Sequence, residues 1–170
     1  DIKPANILID LQGEAILLDF GLAHDDEQDL QTLTQSGDLF GTPAYMSPEQ
    51  LLASRVKIDA RTDIYSLGVT LFECLTLSRP FEAATRDQLY HNILHKEAHN
   101  PRRINSHIPK DLQVILETAL EKNRDRRYQS ALDFAEDLRR LRSFETIRAR
   151  PASPLLKAQR WCQRRPVAAA

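Results

Sequence analysis

The hydrophobic and polar positions of the chain follow a strand pattern near the start and helical patterns further on. Residues 6–10 and 15–20 are short apolar runs on either side of a turn that contains Gly13, which is typical of a β-hairpin. Apolar residues at helical spacing then predict helices at 61–76, 85–95 and 111–121, and a further one that opens at Ser130. The pattern therefore predicts a mainly α-helical bundle with a small β-hairpin at one edge.

The predicted helix at 61–76 is apolar on nearly every side, which is typical of a helix buried at the centre of a domain. Asp63, near its start, is then expected to be a buried carboxylate that accepts hydrogen bonds. Cys74, in the same apolar run, is expected to be a small core residue.

Two segments lack such periodicity. Residues 22–47 are polar and follow neither a strand nor a helix period, and a loop of this length in a compact domain is usually functional or mobile. Past Phe144 the chain carries scattered prolines and arginines and is predicted to be a linker. From Arg139 onward there are nine Lys or Arg residues and one acid, so a basic tail follows an acidic body.

Composition narrows the class of protein. Hydrophobic content of 42% and charged content of 28% are those of a soluble globular domain. The two cysteines provide no disulfide framework, and no apolar stretch reaches the ~20 residues needed to cross a bilayer. The arginine-rich tail has no aromatic platform beyond Trp161, so no nucleic-acid partner is expected.

A set of polar residues around the predicted hairpin suits phosphoryl transfer. Asp1 offers a carboxylate that could orient a hydroxyl, and Lys3, two residues on, could neutralise a phosphate. Asn6 lies at the start of the first predicted strand and Asp19 at the end of the second, so both are expected close together at the base of the hairpin. They offer the hard oxygen ligands that Mg²⁺ prefers. Their joint spacing, rather than any one residue, makes the pattern specific.

These motifs resemble those of the eukaryotic-like (Hanks-type) protein kinases. Asp1–Asn6 (DIKPAN) resembles the catalytic loop from its Asp onward, Asp19-Phe20-Gly21 the magnesium motif, and Ser47-Pro48-Glu49 the end of the activation segment. The resemblance covers residues 1–142 and implies a protein-kinase-like C-terminal lobe without its N-terminal lobe. Residues 143–170 are predicted to be a basic juxtamembrane-like linker.

The resemblance also implies roles for single residues. It makes Asp1 the catalytic base, Lys3 a catalytic phosphate contact, and Asn6 and Asp19 the metal ligands. Thr42, within Gly41–Tyr45 (GTPAY), resembles the threonine that bridges the catalytic Asp and Lys at the substrate site of serine/threonine kinases. The implied cofactors are ATP, contacted by Lys3, Asn6, Leu8 and Asp19, and one or two Mg²⁺ ions, for which Mn²⁺ could substitute.

Further positions are implied to hold the fold or to regulate it. Glu49 and Arg127 resemble the buried ion pair that clamps the activation segment to the helical lobe, and Asp63 resembles the acid that caps the catalytic-loop backbone. Phe20 and Gly21 complete the implied structural set. The segment before Gly41 looks like the autophosphorylation stretch of bacterial kinases, with Thr32, Thr34 and Ser36 as the candidate phosphosites.

The function predicted from the resemblance is a serine/threonine protein kinase that transfers the γ-phosphate of ATP to protein hydroxyls. The alternative is a pseudokinase that acts as a binding scaffold. A small-molecule phosphotransferase of related fold is disfavoured, because such enzymes lack a segment like Gly41–Glu49 (GTPAYMSPE).

The expected partners are proteins with Ser or Thr acceptors and a second kinase copy in a dimer. Residues 128–131 and 137–141 resemble the last helix of bacterial receptor-like serine/threonine kinases, in which a basic stretch leads into a membrane helix. An ordinary tail is the favoured interpretation of the chain that follows, since the four small apolar residues 167–170 do not make a helix. The alternative is a membrane tether after Ala170. The location is then the cytoplasm or the cytoplasmic face of the inner membrane. Because the sequence starts at the catalytic Asp, these 170 residues alone are expected to be inactive and to bind ATP weakly.

Overall fold

Six α-helices and one two-stranded hairpin make up the described part of the chain. The computed structural model describes residues 2–18, 43–52, 58–151 and 153. The hairpin comprises β1 (Ile7–Ile9) and β2 (Ala15–Leu17), and single 3₁₀ turns lie at Pro4–Asn6, Pro43–Tyr45 and Arg124–Arg126. The helices are α1 (Pro48–Leu51), α2 (Arg61–Thr76), α3 (Arg86–His95), α4 (Pro101–Ile104), α5 (Lys110–Ala119) and α6 (Ala131–Arg142). The predicted fold class, mainly α with a small hairpin, is confirmed.

The turn of the hairpin is stabilised by hydrogen bonds among its own residues and by a glycine. Asp10 Oδ1 accepts the backbone N–H groups of Gln12 at 2.9 Å and Glu14 at 2.8 Å. Gly13 has a φ of 86°, a left-handed conformation that glycine adopts without steric cost. The two strands are antiparallel, with Ile7 opposite Leu17, Leu8 opposite Ile16 and Ile9 opposite Ala15.

Helix α2 is the centre of the bundle and packs closely against α5. Tyr65, Val69 and Phe72 on α2 are fully buried. At Gly68 the two helices approach so closely that an added Cβ would lie 2.9 Å from the Cβ of Ala119. The absence of a side chain at Gly68 therefore sets the distance between α2 and α5.

Two residues of α2 are more exposed than the sequence predicted. Asp63 is exposed, which contradicts the expectation of a buried carboxylate, and Cys74 is exposed rather than in the core. Asp63 lies in the first turn of α2 and Cys74 in its last turn, whereas Leu67 and Thr70, between them on the same side, are half-buried and buried. The exposure is therefore local to the two ends of the helix, and apolar content along the sequence does not indicate it.

The chain after α6 folds back onto the bundle through a buried carboxylate. Asp137, fully buried on α6, accepts the backbone N–H groups of Arg148 at 2.7 Å and Ala149 at 2.8 Å. The hydroxyl of Tyr128 donates to the same carboxylate at 2.9 Å. Ile147 and Ala149 also pack on the apolar cluster around Phe134.

The remainder of the predicted juxtamembrane segment, from residue 154 to residue 170, lies outside the described residues. Among the helices that are described, none is both long enough and apolar enough to cross a bilayer.

Replacing Asp137 with asparagine should loosen the segment that follows α6. The amide has one acceptor oxygen in place of two, so at least one of the three donors around it loses its partner, at a cost of about 2 kcal/mol. Urea denaturation should detect this loss, and trypsin should cleave after Arg148 faster than in the wild type. An exposed acid on α5 provides the control: Asp111→Asn should leave both measurements unchanged.

Candidate active site

The base of the hairpin holds two of the predicted site residues, Lys3 and Asn6. Lys3 is extended at the start of the 3₁₀ turn, and the buried Asn6 ends that turn. The N–H of Asn6 donates to the carbonyl oxygen of Lys3 at 2.9 Å, and the carbonyl oxygen of Asn6 accepts the N–H of Leu18 at 2.7 Å. Asn6 is thus bonded to the residue that precedes Asp19 in the sequence.

Leu8, predicted to contact ATP, lies in the middle of β1. Its side chain is 53% exposed, and its register partner Ile16 on β2 is 46% exposed. The pair presents an apolar surface on one face of the hairpin, which suits contact with a flat apolar ring.

Several predicted site residues lie outside the described residues. These are Asp1, Asp19, Phe20, Gly21, Thr42 and the three candidate phosphosites Thr32, Thr34 and Ser36. Within the described ranges, no group of three or more His, Cys, Asp or Glu residues is placed to hold a metal ion. The predicted magnesium pair therefore has one member in the structure, Asn6, whose amide oxygen is a suitable ligand.

The structure brings Glu49 and Arg127 together in a buried ion pair. Arg127 Nη1 lies 2.6 Å from Glu49 Oε1, and Nη2 lies 3.1 Å from Oε2, so the contact is bidentate. The Arg127 side chain is wholly buried, and that of Glu49 is 5% exposed. The pair joins α1 to the segment between α5 and α6.

Further hydrogen bonds satisfy both charges. Thr62 donates its hydroxyl to Glu49 at 3.0 Å, and the guanidinium of Arg127 also donates to the carbonyl oxygens of Arg61 and Glu121. Burying a charge without such partners costs folding free energy, and these hydrogen bonds offset that cost for the pair.

Helix α1, which carries Glu49, is fixed at its start by a capping box. Ser47 Oγ accepts the N–H of Gln50 at 3.4 Å, while the Gln50 side chain accepts the N–H of Ser47 at 2.8 Å. The hydroxyl of Ser47 therefore supplies the cap of α1.

The electrostatics of the pair follow from its surroundings. Burial by itself would raise the pKa of Glu49, but the hydrogen bond and the positive charge of Arg127 outweigh burial and lower the pKa below its ordinary value. Glu49 is therefore ionised in the folded protein at neutral pH.

Lys122 lies beside this ion pair among aromatic rings. Its Nζ lies 3.7 Å from the ring centre of Phe81 and donates to the hydroxyl of Tyr65 at 3.4 Å. Burial, together with the nearby charge of Arg127, lowers the pKa of Lys122 to about 7. No sequence pattern signals this environment, because Phe81 is distant in the sequence.

Lys122 should make the stability of the bundle depend on pH. Its pKa in the folded protein, about 7, lies below its ordinary value of 10.5. Between pH 7 and pH 10.5 the unfolded state therefore binds more protons than the folded state. The free energy of unfolding consequently rises with pH across this window. Lys122→Met should remove much of this rise and should stabilise the protein at pH 7. Urea denaturation from pH 6 to pH 10 tests this, with the exposed lysine variant Lys96→Met as control. A wild-type slope that survives in Lys122→Met would contradict the assignment.

Tyr45, the last residue of the GTPAY segment, makes contacts with α2 that the sequence did not reveal. Its hydroxyl donates to Glu73 on α2 at 2.6 Å, and burial with this carboxylate raises the pKa of Tyr45 to about 12. Ser66 on α2 donates to the carbonyl oxygen of Tyr45 at 2.9 Å. Both contacts hold the segment that precedes α1 against the central helix.

Comparison with known families agrees with this architecture. Residues 1–138 match the family described as protein kinase domain. The match covers well over half of the chain, and the chain belongs to the protein kinase family.

Its curated relatives are bacterial kinases. A probable serine/threonine-protein kinase of Streptomyces coelicolor is 36% identical over 138 residues, which are 81% of this chain and 20% of that protein. The serine/threonine-protein kinase PknB of Mycolicibacterium smegmatis is 36% identical over 141 residues, 83% of this chain and 22% of that protein. A probable serine/threonine-protein kinase of Clostridium perfringens is 34% identical over 142 residues, 84% of this chain and 20% of that protein.

These relatives confirm the resemblance to Hanks-type bacterial serine/threonine kinases. The chain spans about a fifth of the length of the curated relatives it matches.

Proposed function

We propose that the protein to which this chain belongs is a serine/threonine protein kinase that uses ATP and Mg²⁺. The observation that carries the proposal is the kinase-domain match over residues 1–138 in a chain that retains Asp1, Lys3, Asn6 and Asp19. The names of the relatives support the serine/threonine class, and neither those names nor the described geometry favours the pseudokinase alternative.

In the proposed reaction, a substrate hydroxyl oxygen forms a bond to the γ-phosphorus of ATP, and the bond from that phosphorus to the ADP oxygen breaks. Asp1 orients the hydroxyl and accepts its proton, and Lys3 neutralises charge on the transferred phosphoryl group. Asn6 and Asp19 would hold the Mg²⁺, which neutralises charge on the phosphates. The apolar surface of Leu8 and Ile16 suits contact with the adenine ring.

Residues in the polar segment and at the start of α1 have further proposed roles. The Glu49–Arg127 pair anchors the end of the activation segment to the helical bundle, and Thr42 links the catalytic residues to the bound substrate. Phosphorylation at Thr32, Thr34 or Ser36 would order the segment by pairing with an arginine.

The proposed partners are proteins with accessible Ser or Thr residues, and a second copy of the kinase. The proposed location is the cytoplasm or the cytoplasmic face of the inner membrane, with a tether that follows residue 170. The basic composition of the chain from Arg139 onward supports a position next to an anionic membrane surface.

The test is a transfer assay with the intact protein. The protein is incubated with γ-labelled ATP, MgCl₂ and a general protein acceptor such as casein, and the labelled amino acids are identified after hydrolysis. Phosphoserine and phosphothreonine are expected, and transfer should stop when Mg²⁺ is chelated. Label on tyrosine alone, or no transfer at all, would refute the proposal. Mass spectrometry of the same reaction tests whether Thr32, Thr34 or Ser36 is modified.

A further inference from the structure

The outward face of α3 carries two histidines one turn apart. The inward face of this helix is apolar and includes Ile93, which is fully buried. His91 and His95 lie on the exposed side, at positions i and i+4 of the helix, where side chains are neighbours. Their ring centres are 5.0 Å apart, and the ring planes are inclined by 56°.

This separation fits two imidazoles that share one metal ion. A ring nitrogen binds Zn²⁺ at about 2.0–2.1 Å, which places the ion about 3.2 Å from the ring centre. Two rings that meet the ion at a tetrahedral angle then have centres about 5 Å apart. The observed separation of 5.0 Å is compatible with this arrangement.

The electrostatics of the helix also favour a cation at this place. His95 lies in the last turn of α3, where the carbonyl oxygens at the end of the helix create a partial negative charge. Asp87, which is exposed one turn before His91, adds a negative charge on the same face.

We propose that His91 and His95 form a binding site for a first-row transition-metal ion with a preference for imidazole, namely Zn²⁺ or Cu²⁺. Imidazole nitrogen is a common ligand of both ions. The pair supplies two ligands, and water completes the coordination sphere, so the site is an exchangeable surface site. It is separate from the residues proposed for phosphoryl transfer and does not rest on that proposal.

A bound ion would link two successive turns of α3. Because α3 packs against α1, which carries Glu49, the ion would stabilise the region of the bundle next to the buried ion pair. An ion that binds the folded state but not the unfolded state raises the unfolding temperature in proportion to the logarithm of its concentration.

The test is a calorimetric titration of the chelator-treated intact protein with ZnCl₂, in saturating MgCl₂ so that magnesium sites are occupied. His91→Gln and His95→Gln should each weaken zinc binding at least about tenfold, because a single imidazole loses the advantage of two linked ligands. Two other exposed histidines provide controls, and His99→Gln and His107→Gln should bind zinc like the wild type.

Paramagnetic resonance of the Cu²⁺-loaded protein provides an independent measurement. The wild type should have two imidazole nitrogens on copper, and each single variant should have one. The proposal is overturned if the doubly substituted protein (His91→Gln with His95→Gln) binds zinc like the wild type, if the control variants lose affinity equally, or if copper has fewer than two nitrogen ligands. Melting curves without metal should be the same for all variants, since the substituted positions are exposed.

Discussion

Replacing Asp19 with asparagine is expected to lower kcat/KM for phosphoryl transfer by the intact protein by about 10³-fold. The proposed role of this carboxylate is to hold Mg²⁺ together with Asn6, which is buried and bonded through its backbone to Leu18. A metal ion contributes several kcal/mol of charge stabilisation in the transition state, and about 4 kcal/mol corresponds to 10³ in rate. Steady-state kinetics over a range of MgCl₂ concentrations should detect the fall, together with a higher Mg²⁺ requirement.

A second acid of the hairpin provides the matched control. Glu14 is exposed in the turn, and Glu14→Gln makes the same change from carboxylate to amide at a position with no proposed role in transfer. Its kinetics should equal those of the wild type, and both variants should unfold at the wild-type temperature. Wild-type turnover and metal requirement in Asp19→Asn would exclude Asp19 as a magnesium ligand.

Replacing Arg127 with methionine is expected to cost about 3–5 kcal/mol of folding free energy, because it leaves the charge of Glu49 buried without its partner. The cost should depend on pH in a way that identifies its cause. In the variant, burial raises the pKa of Glu49, so protonation stabilises the variant as the pH falls. In the wild type the pKa is lowered, so the contribution of Glu49 is lost as the pH falls through that lower value. The difference between the two proteins should therefore shrink in acid.

Urea denaturation between pH 4 and pH 8 measures this difference. Arg126→Met is the matched control, since Arg126 is the exposed neighbour of Arg127 and its loss should cost little. Adding Glu49→Gln to Arg127→Met should recover part of the stability, since the stranded charge is removed. A cost that is independent of pH, and that the second substitution does not reduce, would mean that Arg127 stabilises the bundle through packing and its hydrogen bonds to carbonyl oxygens, and not through its pairing with Glu49.

The helices were predictable where local sequence determines them. The apolar spacing at 61–76 gave the bounds of α2, and the predicted cap of α6 is present, with Ser130 Oγ accepting the N–H of Asp133 at 3.1 Å. The hairpin pattern also predicted the position of Asn6 at the base of the first strand, where the structure places it. Such features depend on residues within a few positions of one another, which a sequence displays directly.

The wrong predictions concern the burial of single residues. Burial depends on which elements pack against a residue in the folded protein. Asp63 and Cys74 lie in an apolar helix, yet both are exposed, because periodicity does not identify the side from which other elements pack. The buried environment of Lys122 likewise depends on the ring of Phe81, which is distant in the sequence. The burial of Asp137 and the partners that it binds likewise depend on tertiary packing.

The hydrogen bonds of Asp137 also define how mechanical tension would pass through the domain. A pull on the chain beyond residue 150 acts first on the two backbone N–H groups that Asp137 accepts. From that carboxylate it passes through the Tyr128 hydroxyl to Arg127, the adjacent residue, and then to Glu49. Force on the C-terminal segment is therefore transmitted to α1, which carries Glu49, through side chains and one peptide bond, without requiring any helix to unwind.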